Sequence, residues 1–370
     1  MKIDEINIEK FRNYKCIKVD PGEINILYGN NGQGKSNFLE AVYYLGNGFS
    51  YRTNQIRDLI MWNCDFFRIE GKFSNKRGSN YQLISILSEK EKKISIDGVS
   101  IKKLASLLGN LAVCIFDPDD LMLVKGHPNL RRSFLDREIV IIFPTYYELL
   151  RRFMKINYQR NSLLKDIKVR KELLNQLEEW NILYIDLAFK IVLKRLNFLN
   201  MLEPFMKYYL EKISGGKEQV KIVYEINELG NFECEEKPNF VKYQNRFSEL
   251  MKEEIIKGNS LLGPHRDDFK IYLNNFNVKS FGSQGQQRTV ALSLKLSCLE
   301  IINKELGEYP VLLLDDVMSE LDKERRKILT DTIQNKIQTF ITTTDLELVK
   351  GLNTKSSVYN VIEGSINYVK

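Results

Sequence analysis

Hydrophobic positions along this chain change their period twice. Up to about residue 115 they alternate with polar ones, at Ile6 and Ile8, then in residues 81–86 (YQLISI) and 94–98 (ISIDG). A period of two puts one set of side chains on one face of a pleated strand, so this region predicts half-buried strands and hairpins. Two stretches inside it read differently. Residues 23–28 (EINILY) form an apolar run that predicts a buried strand, and residues 38–45 (FLEAVYYL) predict a helix.

From Leu121 the spacing becomes helical: Leu149, Leu150, Phe153 and Met154, then Leu173, Leu174 and Leu177, then Ile191, Val192, Leu196 and Leu199. Residues 127–214 contain none of the chain's 21 glycines, and no proline falls between Pro144 and Pro204. About four helices, inserted into the strand-rich part, account for that texture. Strands return at 219–226 (QVKIVYEI) and 269–273 (FKIYL), and from Gly282 an α/β pattern runs to the end. The predicted class is α/β. A first head segment covers 1–118, a mainly helical lobe 119–258, and a second head segment 259–370.

Composition narrows the chemistry. A chain of 370 residues is long for one core. Its longest apolar candidate, IVIIF at 139–143, falls well short of the ~18 residues of a membrane span. The first twenty residues mix charge with hydrophobics, which predicts a cytoplasmic protein without a secretory signal. Five scattered cysteines (Cys16, Cys64, Cys114, Cys234, Cys298) form no C-x-x-C pair and predict reduced thiols. With only two histidines, His127 and His265, chemistry must rest on carboxylates, hydroxyls and lysine. The net charge of +7 gains meaning from its placement: residues 151–200 carry eleven Lys/Arg against five Asp/Glu, with Arg151, Arg152, Lys155 and Arg160 close together. A solvated helix face and an anionic partner both fit that cluster.

Between the 23–28 run and the 38–45 helix lies GNNGQGKSN: Gly29, Asn30, Asn31, Gly32, Gln33, Gly34, Lys35, Ser36 and Asn37. The spacing is that of a phosphate-binding loop, G-x-x-x-x-G-K-[ST], whose backbone N–H groups wrap the phosphates of a nucleotide. Lys35 would neutralise phosphate charge and the Ser36 hydroxyl would ligate Mg2+. Far downstream, PVLLLDDVMSELD (310–322) is an apolar run ending in adjacent carboxylates. Asp315 at the end of a buried parallel strand would lie near the Mg2+, and Asp316 could polarise an attacking water. A third segment, FGSQGQQRTVALSLKL (281–296), sets Ser283, Gly285 and Gln286 at the start of a helix, where anions are bound. A second anion site in one chain makes sense if it meets the nucleotide of another copy, with two ATP molecules sandwiched between two heads.

Phosphate loop, serine-glycine-glutamine signature, then the Walker B strand with SELD after it is the order of ABC-type ATPases. Together with IEKFRNYK, DPDDLMLVKGHPNLRRSFLD, GPHRDD and FGSQGQQR, these segments resemble the RecF family of ABC/SMC-like ATPases, over residues 3 to about 345. The resemblance implies an ABC-type P-loop ATPase head with an inserted helical lobe. It further implies ATP-dependent homodimerisation, binding to double-stranded DNA and single-strand/double-strand junctions, and work with RecR, RecO and RecA in gap repair and SOS induction, away from membranes. It assigns Gly32, Gly34, Lys35 and Ser36 to phosphates and Mg2+, Asp315 to Walker B, Ser283 and Gly285 to the trans signature, and Asp322 to the dimer interface. There are departures. Asp316 replaces the usual glutamate, one methylene shorter, which implies slow hydrolysis. The switch histidine is replaced by Thr343 or Thr344, and the Q-loop glutamine by Asp119 or Asp120. Arg131 and Arg132 lie in a matching segment with either a functional or a structural role. The alternative is the nucleotide-binding head of another ABC/SMC-type assembly. A transporter subunit has a much shorter interval than the nearly 250 residues between Ser36 and Ser283, and an SMC head needs a long coiled coil.

Overall fold

A computed structural model describes residues 1–87, 91–216, 218–233, 238–350, 352 and 356–370. The chain forms two compact units, residues 1–121 with 295–370, and residues 122–294.

The first unit holds two six-stranded sheets. One is antiparallel and begins with Lys2–Phe11, whose apolar set (Ile3, Ile6, Ile8, Phe11) is buried while its polar set faces outward. Strands Tyr14–Val19, Phe66–Asn75, Gly78–Leu87 and Lys92–Ile96 extend it, the last two where the alternating pattern predicts them. The other sheet sets Ile24–Tyr28 between Thr339–Thr343 and Ser356–Ile362, with Val311–Asp315 and Val113–Phe116 beyond, these five parallel and Ser365–Tyr368 antiparallel at one edge. Parallel strands buried on both faces read as continuous apolar runs, which is why INILY and VLLLD lack alternation. The helix Lys35–Asn47 touches strands of both sheets. Buried almost all round, it fits only because Gly46 and Gly71 leave room: a Cβ there would come within 2.3 Å of Val113 Cγ2 and 2.4 Å of Leu45 Cδ2.

The second unit contains Pro128–Ile142, Pro144–Ile167, Leu177–Ser214 and Phe240–Lys257 as its long helices. Pro128 and Pro144 each open a helix, where a missing N–H costs nothing. It also carries a four-stranded antiparallel sheet, in the order Gly230–Glu233, Val220–Ile226, Asp268–Leu273, Phe276–Asn277. This moves an expected boundary. A return to the head at 259 is not what forms, because Asp268–Leu273 pairs along its whole length with Val220–Ile226, so residues 259–294 stay with the inserted unit. The helix Gln284–Leu306 begins in one unit and ends in the other.

Arg131, Arg160 and Arg195 are buried in this second unit, each against a carboxylate. Arg131 forks onto Asp268 with both contacts at 2.7 Å. Arg160, fully buried, reaches Glu254, Ser260 Oγ (2.6 Å) and Asn181 Oδ1 (2.8 Å) and lies against the rings of Tyr184 and Phe247. It is therefore not part of a charged outer face, although Arg151, Arg152 and Lys155 on the same helix are exposed. Arg195 takes both oxygens of Asp136 at 2.9 Å and donates to the Pro264 carbonyl at 2.6 Å. Cys16, Cys64, Cys114 and Cys298 form no disulfide among the described residues, and Cys234 lies outside them.

Candidate nucleotide site

The turn after Ile24–Tyr28 requires its glycines. Gly29, Gly32 and Gly34 have φ of 154°, 80° and 117°, a region that side-chain-bearing residues rarely adopt. A Cβ on Gly29 would sit 2.4 Å from the Val361 carbonyl oxygen, and one on Gly34 would strike Asn13. Because Gly34 caps the helix in the left-handed region, the first N–H groups of Lys35–Asn47 are left facing the loop. Such a terminus, with partial positive charge and free donors, is built for an anion. Lys35 Nζ lies across the mouth, donating to the carbonyls of Gly29 (2.7 Å) and Asn30 (2.9 Å). Burial lowers its pKa, and Asp316 and Asp315 work against that. Asn30, Asn31 and Gly32 are exposed; Gln33, Ser36 and Asn37 are half-buried.

Braces from distant segments hold the loop. Asn13 Nδ2 donates to the Gln33 carbonyl at 3.0 Å and its Oδ1 accepts from Asn37 at 2.9 Å, while Tyr14 Oη donates to the Gly34 carbonyl at 2.9 Å. From the chain's far end, the N–H groups of Glu363 and Gly364 donate to Gln33 Oε1 (2.7 Å) and its carbonyl (3.0 Å). Arg12 forks onto the fully buried Glu40 of the loop's helix at 2.8 and 2.9 Å, and Ser50 Oγ donates to the same carboxylate. FRNY thus acts as a bracket for the phosphate loop, a role its sequence did not disclose.

The carboxylate strand meets the loop edge-on. Ser36 Oγ donates to Asp315 Oδ1 at 2.9 Å, and Thr342 Oγ1 donates to the same oxygen at 2.7 Å. Thr342 also accepts the Asp316 N–H at 2.9 Å. That bond secures Asp316 at φ 52°, a strained conformation for a residue with a side chain. Burial raises the pKa of Asp316, Lys35 opposes this, and Asp315 adds to it. Its Oδ1 is buried without a hydrogen-bond partner. A hydroxyl and a carboxylate as adjoining hard oxygen donors suit Mg2+, which in nucleotide sites uses one or two carboxylates and takes its other ligands from phosphates and water.

Gly29 to Asn37, Asp315 and Asp316 therefore lie together. Ser283, Gly285 and Gln286 belong to the other unit. There Ser283 N–H donates to Gln286 Oε1 (2.8 Å) and Gln286 N–H to Ser283 Oγ (3.2 Å), a capping box at the head of Gln284–Leu306 with Ser283 exposed. Gln286 Nε2 donates to Glu218 (2.7 Å), and the Gly285 carbonyl accepts from Thr289 (3.0 Å). Asp322 caps Lys323–Ile333, accepting from Arg325 N–H, which lowers its pKa. Of the two threonines expected at the switch, Thr343 spends its hydroxyl on the backbone of Asp345 and Thr344 is exposed. Thr342, one residue earlier, is the one that reaches both carboxylate residues. Asp120 is buried in an ion pair with Lys295 (3.1 Å) and Asp119 is exposed.

The family model described as RecF/RecN/SMC N terminal domain matches residues 2–367. The DNA replication and repair protein RecF of Halothermothrix orenii is 41% identical, with all of both chains covered. The chain belongs to the RecF family. A solved structure of the recombination mediator protein RecF with ATPrS in the RecFOR pathway is 34% identical, covering 100% of this chain and 98% of that one, with a TM-score of 0.91. An Smc head domain from Pyrococcus furiosus, 15% identical over 100% of this chain and 96% of that one, has a TM-score of 0.56 and shares the fold. The RecF family fold is thus the ABC-type ATPase head expected from the motif order. No helix among the described residues is long and apolar enough to cross a membrane.

Proposed function

We propose that this chain is an ATP-dependent DNA-binding protein of recombinational and replication-gap repair. The observation that carries the reading is the 2.9 Å contact of Ser36 with Asp315, which joins the phosphate loop to the carboxylate strand in one cradle. Residues 29–37 would hold the phosphates of ATP, and Ser36 and Asp315 would ligate Mg2+, which when bound would neutralise phosphate charge. Lys35 sets its charge against the phosphates. Asp316, oriented by Thr342, takes the place of the water-polarising acid, and its short side chain fits slow hydrolysis that acts as a switch. Ser283 and Gly285, at an exposed helix start, close on the nucleotide of a second copy. ATP thereby drives pairing of two heads on duplex DNA and single-strand/double-strand junctions in the cytoplasm. By family resemblance, the closed pair helps RecO and RecR load RecA and induce the SOS response. Likeness to proteins named for replication, repair and the RecFOR pathway supports this role.

Replacing Lys35 by Met tests the cradle. The charge goes but most of the stem remains, so the protein should fold while ATP affinity drops by roughly a hundredfold or more, in keeping with loss of a desolvated charged contact. ATP-dependent DNA binding should disappear with it. Wild-type ATP affinity in a folded Lys35→Met protein, measured by calorimetry, would refute the assignment.

A further inference from the structure

The helix Pro144–Ile167 carries one outward stripe that the nucleotide site does not use. Arg151, then Met154 and Lys155, then Tyr158, Ser162 and Lys165 lie three or four residues apart along one helix face and are all exposed. Tyr158 is 78% and Met154 62% exposed, the two large uncharged side chains of a stripe otherwise polar and basic. Four members of the stripe, from Met154 to Lys165, border a cavity of about 640 Å³ inside the second unit. Phe153 and Arg132 also line it, along with the amides of Asn129, Asn157 and Asn161. Among the described residues Asp136 is the only carboxylate in the lining, and both its oxygens are engaged by Arg195. The wall is therefore cationic overall, rich in amides and open beside an aromatic ring.

That combination is specific. A basic track with an exposed ring and a polar recess is how proteins hold unpaired nucleic acid: cations follow the phosphates, the ring stacks on a base, and amides meet its edge. A duplex offers no free base face, so an exposed tyrosine beside a recess gains little from it. We propose that this cavity receives one unstacked nucleotide of single-stranded DNA, with Tyr158 stacking on the base and Arg151, Lys155 and Lys165 following the adjoining phosphates. The proposal rests on the DNA-binding reading above and names the part of the chain that distinguishes a single-strand junction from plain duplex. An acidic protein segment would match the lysines and arginines but would leave the ring without a planar partner.

The test uses the full chain with ATP and fluorescence anisotropy on two labelled probes, a blunt duplex and the same duplex with an oligo-dT tail. Tyr158→Ala removes an exposed ring and leaves the core intact, which circular dichroism checks. Tail-dependent binding should weaken by about tenfold, the size expected for loss of one base–aromatic stack, with blunt-duplex binding unchanged. Lys165→Glu should also weaken tailed-probe binding and flatten its salt dependence. Unchanged tailed-probe binding by Tyr158→Ala, or equal losses on both probes, would overturn the nucleotide pocket while leaving the DNA-binding reading standing. Displacement of the tail by a poly-glutamate peptide but not by free oligo-dT would overturn it in favour of an acidic segment. Failure of the wild type to bind either probe would overturn both readings.

Discussion

Thr342→Val replaces a hydroxyl by a methyl group of nearly the same size at a fully buried position, so packing is kept and only hydrogen bonds are lost. Two are at stake: the donation to Asp315 at 2.7 Å and the acceptance from Asp316 N–H at 2.9 Å. A bond to a charged group contributes about 1.5–3 kcal/mol, and an N–H left buried without an acceptor costs about 1–3 kcal/mol. Asp315 keeps its bond from Ser36, and the two losses share one neighbourhood, so a combined penalty of about 2–4 kcal/mol is expected. For a head unit of roughly 200 residues, that corresponds to a fall in unfolding midpoint of about 5–15 °C. Asp316 would also lose the anchor that holds its left-handed backbone, so hydrolysis should slow by about tenfold, equivalent to about 1.4 kcal/mol in the barrier. Differential scanning calorimetry and a phosphate-release assay measure the two effects. Thr343→Val is the control: its hydroxyl serves only the turn at Asp345, so it should cost about 1 kcal/mol and leave turnover unchanged. A Thr342→Val midpoint within a degree of wild type, or slower turnover in Thr343→Val than in Thr342→Val, would refute this assignment.

Two other outcomes concern the inserted unit. Arg160→Met should destabilise the protein by about 3–5 kcal/mol in denaturant titration, because Glu254 would be left buried without its cation, with only the Leu261 N–H donating to it; a change under about 1 kcal/mol would contradict the burial described. Burial raises the pKa of Asp267 from the ordinary 3.8 to about 7, although Arg195 opposes the shift. Between about pH 4 and 7 the folded chain therefore keeps a proton that the unfolded chain releases, and this contribution to stability falls as pH rises. Asp267→Asn should flatten that slope in urea titrations across the window, and an identical slope in the variant would count against it.

What could be read from sequence was what is written locally. The glycine-rich turn at 29–37 and the Val311–Asp315 strand are each spelled in about a dozen contiguous residues, and the strands and helix predicted around them form. Thr342 was not legible, because three consecutive threonines look alike until strand register places one opposite Asp315. Nor were the braces of the loop, since Gln33 meets Glu363 across 330 residues of chain. Charge was misleading for a related reason. Arg160 reads like its neighbours Arg151 and Lys155, and only tertiary packing shows that it is a buried ion with a carboxylate to itself. The strands near 219–226 and 269–273 were visible, but that they pair with each other was not, and that pairing shifts the boundary to 295.

Nucleotide-driven pairing of two heads through Ser283 is the centre of the functional account, and sedimentation velocity with ATP and Mg2+ tests it most directly. The wild-type chain should form a dimer that decays as ATP is hydrolysed. Asp316→Asn keeps the side chain's size and removes the carboxylate, so its dimer should outlast the wild type's. Ser283→Arg places bulk and charge where the second copy's γ-phosphate must enter, so that variant should bind ATP with near wild-type affinity and remain a monomer. A Ser283→Arg protein that dimerises on ATP as the wild type does would contradict the account.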